Sequence, residues 1–257
     1  MIEVKGLNYK IQQNNILQNI NFQASAYELL AIIGPNGAGK SSLLKLISKE
    51  ISNQIGQVMI HGKELSGYKI NELAKFRAVL PQNNSMSVNL RVNDIVMMGR
   101  YPHFDRNPSQ LDQKIVDVYL EELGLQAYKE RLIYTLSGGE QQRVHLARIL
   151  AQIHNQKNAI LLMDEPINGL DLQYQQIILE KARKMANAGM IVICILHDIN
   201  LAAQYADNIL LLEDGKIKKW GPPKEVLSEE TIFSIYHTKV RRINDMNLGY
   251  PGILPKN

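Results

Sequence analysis

The stretch Gly34-Pro35-Asn36-Gly37-Ala38-Gly39-Lys40-Ser41-Ser42 constrains this chain more than any other. It follows the apolar run Leu29 to Ile33 and leads into Leu43-Leu44-Lys45-Leu46-Ile47. Buried strand, glycine-rich turn and helix, in that order, are the context a phosphate-binding loop requires. Gly34, Gly37 and Gly39 let the backbone turn tightly with its amides inward. The helix start then offers unpaired N–H groups and the positive end of its dipole to an anion. Lys40 can reach the outer phosphates, and the Ser41 hydroxyl can hold Mg2+. A glycine turn beside a surface lysine does not account for both the spacing and the strand–helix context. The reading is a nucleoside triphosphate site.

A chain of 257 residues can bury a substantial core, as one large domain or a core with an inserted subdomain. The formal charge of +4 comes without a concentrated lysine/arginine block, so nucleic acid is not an expected partner. Cys194 is the single cysteine, which forbids an intrachain disulfide and favours a reducing compartment. No signal peptide opens the chain, and no apolar run approaches the length of a membrane-spanning helix. Membrane association is therefore expected through a partner. There is no internal repeat, so one nucleotide-binding core is expected and not a tandem pair.

Residues 1–33 read as short strands, with Asn14-Asn15 marking a turn. Tyr9 reads either as an aromatic that stacks on a nucleotide base or as a half-buried strand tyrosine. Arg77 to Leu80 is a strand that ends at Pro81-Gln82, where Gln82 either enters a nucleotide site or is a solvated loop residue. Helices are predicted from Val92 to Met98 and from Ser109 to Leu123, the second on the spacing of Leu111, Ile115, Val118 and Leu123. More chain lies between Lys40 and Asp164 than a strand–helix–strand unit needs. The excess predicts an inserted helical subdomain over 84–155, which splits a core of 1–83 and 156–237.

Ser137 and Glu140 have capping-box spacing, and Gly138 and Gly139 leave first-turn amides uncovered, so this second helix start is either an ordinary cap or a phosphate contact. The apolar strand Ala159 to Met163 ends in Asp164-Glu165, where a doubly wound sheet places ligands. Asp164 would serve the Mg2+ shell and Glu165 would polarise the attacking water. His197, at the end of the strand Met190 to Leu196, either contacts a γ-phosphate or caps the next helix. Asp214-Gly215 predicts a type I′ hairpin, and Arg241 to Asn257 reads as loose surface chain.

Taken in this order, the elements resemble the nucleotide-binding subunit of an ATP-binding cassette (ABC) transporter, over residues 1 to about 237. The resemblance implies an α/β fold: a P-loop NTPase (RecA-like) core with an N-terminal antiparallel β subdomain, an inserted α-helical signature subdomain and a C-terminal tail over 238–257. By the same resemblance Tyr9 stacks on adenine, Gly34 to Ser42 cradle the phosphates of ATP, and Gln82 senses Mg2+ and the interface. Leu136 to Gln142 is the family signature, Asp164-Glu165 the metal-and-base pair, Asn168 to Asp171 the subunit-crossing loop and His197 the switch histidine. Ile167 and Asn168-Gly169 depart from the family's usual Thr or Ser and Ser-Ala, without removing a catalytic group.

In the family the signature closes the ATP site of a second subunit, so Ser137, Gly138, Gly139 and Glu140 imply a head-to-tail homodimer around two ATPs. Residues 83–103 are expected to receive two membrane-spanning permease subunits, with a periplasmic or surface substrate-binding protein as indirect partner. The implied location is peripheral, on the cytoplasmic face of the cell (inner) membrane. Arg100-Tyr101-Pro102-His103 is similar to importers of iron chelates, haem and cobalamin. Glu140 to Val144, Gln156-Lys157-Asn158 and Asp171 to Gln176 look most like the haem importers of that group, with ferric-siderophore or cobalamin import as the alternative. His61, His103, His145 and His154 have no clustered ligand spacing, so the subunit itself is not expected to bind haem.

Overall fold

In chain order the elements are β1 (Ile2–Ile11), β2 (Asn14–Ala24), β3 (Glu28–Ile33), α1 (Lys40–Ile47), β4 (Ile55–Ile60), β5 (Lys63–Glu64), α2 (Ile70–Ala74), β6 (Arg77–Leu80), α3 (Val92–Met98), α4 (Gln110–Glu122), α5 (Gly138–Gln152), β7 (Ile160–Asp164), α6 (Leu172–Asn187), β8 (Ile191–Ile195), α7 (Ile199–Tyr205), β9 (Asn208–Glu213), β10 (Lys216–Gly221), α8 (Pro223–Val226), α9 (Glu229–Tyr236), β11 (Val240–Ile243) and β12 (Gly252–Pro255). The computed structural model describes residues 1–52, 54–82, 89–243 and 249–256. They form two compact units, 1–67 with 179–257, and 68–178.

In the first unit β2, β1, β4 and β5 make an antiparallel sheet. Ile2, Val4 and Leu7 of β1 are buried. Its register slips between Val4 and Leu7, where Gly6 has φ 56°. Asn side chains take up the backbone groups that the bulge frees: Gly6 N donates to Asn21 Oδ1 at 2.8 Å and Asn19 N to Asn8 Oδ1 at 2.9 Å. The turn falls at Gln12-Gln13 and not at Asn14-Asn15, because the ladder continues to the pair Ile11–Asn14 and Gln12 takes the left-handed conformation.

The same unit holds β3 between β8 and β9, all parallel, with β10 antiparallel on β9. Leu29 to Ile33 and Ile191 to Ile195, including Cys194, are buried, as strands covered on both faces must be. β3 and β8 end side by side, Ile32 opposite Ile195. The loop that starts at Gly34 and the residue His197 therefore leave adjacent strands at the carboxyl edge, where such sheets bind ligands. Asp214 (φ 48°) and Gly215 (φ 71°) form the expected I′ turn.

The C-terminal chain is not loose. β11 and β12 pair as a hairpin, with Val240 and Ile253 buried. Asn200 fastens it by donating to Ile253 O at 3.0 Å and accepting from Ile253 N at 2.7 Å. Residues 244–248 and 257 of the expected tail lie outside the described residues.

In the second unit β6 and β7 pair in parallel beside α2 to α5. Ser109 caps α4, but the buried face is Ile115, Val116 and Leu120, whereas Leu111 and Val118 are exposed. Of the predicted stripe, Ile115 and Leu123 lie on the core face and Leu111 and Val118 beside it. Gly99 lies so close to α5 that a Cβ there would come within 2.0 Å of Arg148 O. Arg100 and Asp112 form a buried ion pair, Nε to Oδ1 2.9 Å, and Arg100 Nη1 also donates to Ala151 O at 2.7 Å. Residues 83–88 of the surface expected over 83–103 lie outside the described residues.

Candidate nucleotide site

The phosphate loop is built as its glycines require. Gly37 (φ 80°) and Gly39 (φ 98°) occupy the left-handed region. A Cβ on Gly34 would meet Leu212 O at 2.0 Å, and one on Gly39 would meet Leu17 Cδ2 at 2.8 Å. Pro35 accepts from Ala38 N at 3.3 Å, and Gly39 O accepts from Leu43 N at 2.9 Å, which starts α1 at Lys40. Among the described residues no side chain caps α1, and its first turn holds no acidic residue. A helix start left open in this way fits a phosphate. Lys40 is buried, its Nζ donating to Gly34 O at 2.9 Å and Pro35 O at 2.8 Å, so its ammonium lies folded across its own loop. Asn36 and Gly37 are exposed, and Ser41 and Ser42 are half-buried on the first turn.

Three further residues of this unit bear on the loop. Tyr9 is half-buried on β1, paired with Leu17, the residue that packs under Gly39. His197 is exposed, and the capping role falls to Asp198, which accepts from Asn200 N at 2.7 Å and Leu201 N at 3.1 Å. Tyr236, at the end of α9, was not singled out in the sequence. Burial raises its hydroxyl to about 12, partly offset by a hydrogen bond with the Gly34 backbone. The C-terminal helix thus touches the base of the loop, a long-range contact with no local signal.

The second unit carries the acids. Asp164 ends β7 and is 3% exposed, and Glu165 follows at 8% with φ 51°. Gln82, just past β6, donates from Nε2 to Glu165 Oε2 at 2.5 Å, and Asn168 Nδ2 donates to the same oxygen. The structure thus brings Gln82 and Glu165 together. The resemblance places Asn168 in the subunit-crossing loop, and its contact with Glu165 is not foreseen there.

The signature start forms the predicted capping box: Ser137 N donates to Glu140 Oε2 at 2.7 Å, and Ser137 Oγ accepts from Glu140 N at 3.4 Å. The Ser137 backbone and hydroxyl, then Tyr128, hold the Glu140 carboxyl below the usual carboxylate range. Gly138 is exposed and Gly139 half-buried, with Leu170 Cδ2 3.4 Å from where a Gly139 Cβ would stand. Arg143 stacks over Tyr174 at 4.4 Å and donates to Leu123 O at 2.9 Å.

The open loop at the end of a buried parallel strand defines a phosphate-loop nucleotide-binding protein. The sequence pattern of the family described as ABC transporter matches residues 17–168. The hemin import ATP-binding protein HmuV of Gloeobacter violaceus is 41% identical over 258 residues, covering 99% of this chain and 94% of that protein. HmuV of Deinococcus radiodurans is 42% identical, covering 93% and 91%. The solved structure of a metal-chelate type ABC transporter in an inward-facing conformation is 27% identical, covers 100% of this chain and 97% of that chain, and superimposes with a TM-score of 0.83. A dimeric bacterial ABC transporter cassette is 26% identical, covers 86% and 98%, and gives a TM-score of 0.75. The chain belongs to the ABC transporter family. It has the P-loop, RecA-like ATPase fold with an N-terminal β subdomain and a helical subdomain, and it binds and hydrolyses ATP.

Proposed function

We propose that this chain is the ATPase subunit of a haem importer. The reading is carried by the relatives above, both named for hemin import and each aligned over more than nine-tenths of the chain. Import of a ferric siderophore or cobalamin is the second reading, favoured by the likeness to the metal-chelate type transporter. Two copies act head to tail, each presenting Ser137 to Glu140 to the ATP held by the other's Gly34 to Ser42, with Tyr9 under the adenine. Two permease subunits dock on the second unit. The support there is a groove of about 410 Å³ lined by Met97, Tyr101, Phe104, Asp105, Arg106 and Pro108. A periplasmic or surface binding protein delivers the substrate, and the chain works at the cytoplasmic face of the membrane.

Ser41, Asp164 and Gln82 carry a hydroxyl, a carboxylate and an amide oxygen, each a hard donor of the kind Mg2+ takes, and the family resemblance assigns all three to it. When bound, Mg2+ would neutralise charge on the outer phosphates. Lys40 leaves its loop carbonyls for the β- and γ-phosphates. Glu165 takes a proton from water as its oxygen attacks the γ-phosphorus, and the bond to the β-phosphate oxygen breaks to give ADP and phosphate. His197 contacts the γ-phosphate. Loss of that phosphate removes the dimer's glue and opens the pair.

Glu165→Gln tests the chemistry: ATP binding should persist and turnover should fall by about a hundredfold or more. A variant that hydrolyses ATP at the wild-type rate removes Glu165 as the base. For the substrate, the chain is co-purified with its permease and placed in vesicles. Uptake of haem should exceed uptake of a ferric siderophore and of cobalamin, and the reverse order would favour the second reading.

A further inference from the structure

The turn between β9 and β10 holds the phosphate loop by its backbone. Gly215 N donates to Ala38 O at 3.2 Å. A trans peptide is planar, and its C=O and N–H point in opposite directions. Fixing the Ala38 oxygen against the turn therefore points the Gly39 N–H away from the turn. Among the described residues no backbone carbonyl takes that N–H, so it is left for a ligand. Gly39 sits at φ 98° and lacks the β-carbon that would resist rotation, so the peptide needs such an anchor to keep its orientation.

The anchor is itself gripped from β2. Gln18 Nε2 donates to Asp214 O at 3.4 Å, the oxygen of the same peptide whose N–H reaches Ala38. Gln18 N holds the next carbonyl, Gly215 O, at 2.8 Å. The Gln18 amide, the Asp214–Gly215 peptide and the Ala38–Gly39 peptide thus form one hydrogen-bonded chain that ends in the Gly39 N–H. Bonds in such a chain polarise one another and make the last N–H a stronger donor. A hairpin turn alone asks only for the φ of 71° at Gly215. Here a Cβ would also come within 2.4 Å of Ile16 O, so the close approach to β2 is a second demand on the same glycine.

We propose that Gly215 and Gln18 are positioning residues for nucleotide binding, which set the Ala38–Gly39 peptide so that the Gly39 N–H faces the phosphates. The proposal rests on the reading of Gly34 to Ser42 as the phosphate site. Neither residue touches the nucleotide. Their loss weakens binding and leaves the chemical step alone, because Glu165 and the attacking water do not depend on this peptide.

Gly215→Ala and Gln18→Leu in the purified full chain test this. The first forces the turn away from β2, and the second keeps the side-chain size, drops the amide and carries the test if the first fails to fold. KM for ATP should rise at least about fivefold in Gly215→Ala and about twofold in Gln18→Leu, with kcat within about twofold of wild type. Asn208→Ala is the control for general loosening: it cuts the bond from Asn208 Nδ2 to Glu28 Oε1, 2.8 Å, at the opposite end of β3 and β9. Its KM should stay within about twofold of wild type. In amide NMR spectra, the Gly39 proton should move downfield when ADP is added to the wild type, and by less than about half as much in Gly215→Ala. An unchanged KM in the folded variants, an equal rise in Asn208→Ala, or a full Gly39 shift in both turn variants overturns the proposal. Wild-type ADP affinity in Lys40→Ala would instead remove the loop as the phosphate site, so the two failures are told apart.

Discussion

Gln142, one turn into α5, donates its side-chain amide to the carbonyl of Pro166 at 3.2 Å. With Gly139 against Leu170 and Arg143 over Tyr174, this makes the signature start and the loop after the acids one braced block. Whatever Ser137 contacts is thereby tied to the residues next to Glu165.

Removing the brace should therefore affect turnover more than nucleotide binding. The double change Gln142→Ala and Arg143→Ala deletes one side-chain hydrogen bond to Pro166 O, another to Leu123 O and a cation–π contact. We expect a stability loss of about 1–3 kcal/mol, with kcat reduced several-fold and ATP affinity nearly unchanged. Urea unfolding, nucleotide titration and ATPase rates on one preparation check all three.

The Arg100–Asp112 pair makes a pH prediction. Burial pushes the Asp112 carboxyl up, but hydrogen bonds from Ser109 and the Arg100 guanidinium outweigh it and leave the group below its ordinary range. A depressed carboxyl contributes stability above its unfolded value, about pH 4, and loses it as pH falls through the folded value. Wild-type stability should therefore drop below about pH 4, and Asp112→Asn should flatten that part of the curve. At pH 7, Asp112→Ala should cost about 3–5 kcal/mol, because it strands a buried guanidinium. Urea midpoints across pH 3–7 measure both.

The loop glycines should separate by mechanism. Gly37→Ala enters open space and meets only the strain of φ 80°, about 1–2 kcal/mol. Gly34→Ala would drive a Cβ to 2.0 Å from Leu212 O on a central strand, where neither backbone can yield without moving the sheet. We expect Gly34→Ala to be far less stable than Gly37→Ala in thermal melts. Gly37→Ala should stay folded and bind ATP more weakly.

What could be read from the chain was local. Val92–Met98 has the predicted bounds, the Ser137 box forms, and the Asp214-Gly215 turn has its expected φ values. Each depends on residues a few positions apart. The phosphate loop belongs here too, since strand, turn and helix are consecutive. The misses are long-range. Gln82 reaches Glu165 through the pairing of β6 with β7, which no spacing encodes. Tyr236 reaches Gly34 from two hundred residues away. Likewise α4 buries Val116 and Leu120, not Leu111 and Val118, because the choice of face is made by α3 and α5.

The C-terminal hairpin tests how much such a contact stabilises. Strands as short as Val240–Ile243 and Gly252–Pro255 are marginal as an isolated pair. Their placement depends on Val240 and Ile253 going inside and on Asn200, whose amide meets both backbone groups of Ile253. Asn200→Ala leaves a partly buried N–H and C=O without that partner, at a cost of about 1–3 kcal/mol in all. The hairpin should then open locally before the rest of the unit, because β3, β8 and β9 do not depend on it. Limited proteolysis should cut the variant within 238–256 at protease levels that leave the wild type whole. Hydrogen exchange should speed up at Arg241 to Ile243 and stay slow at Leu30 to Ile32. Equal protection of the hairpin in both proteins would mean that α9 and the two buried apolar side chains hold it alone.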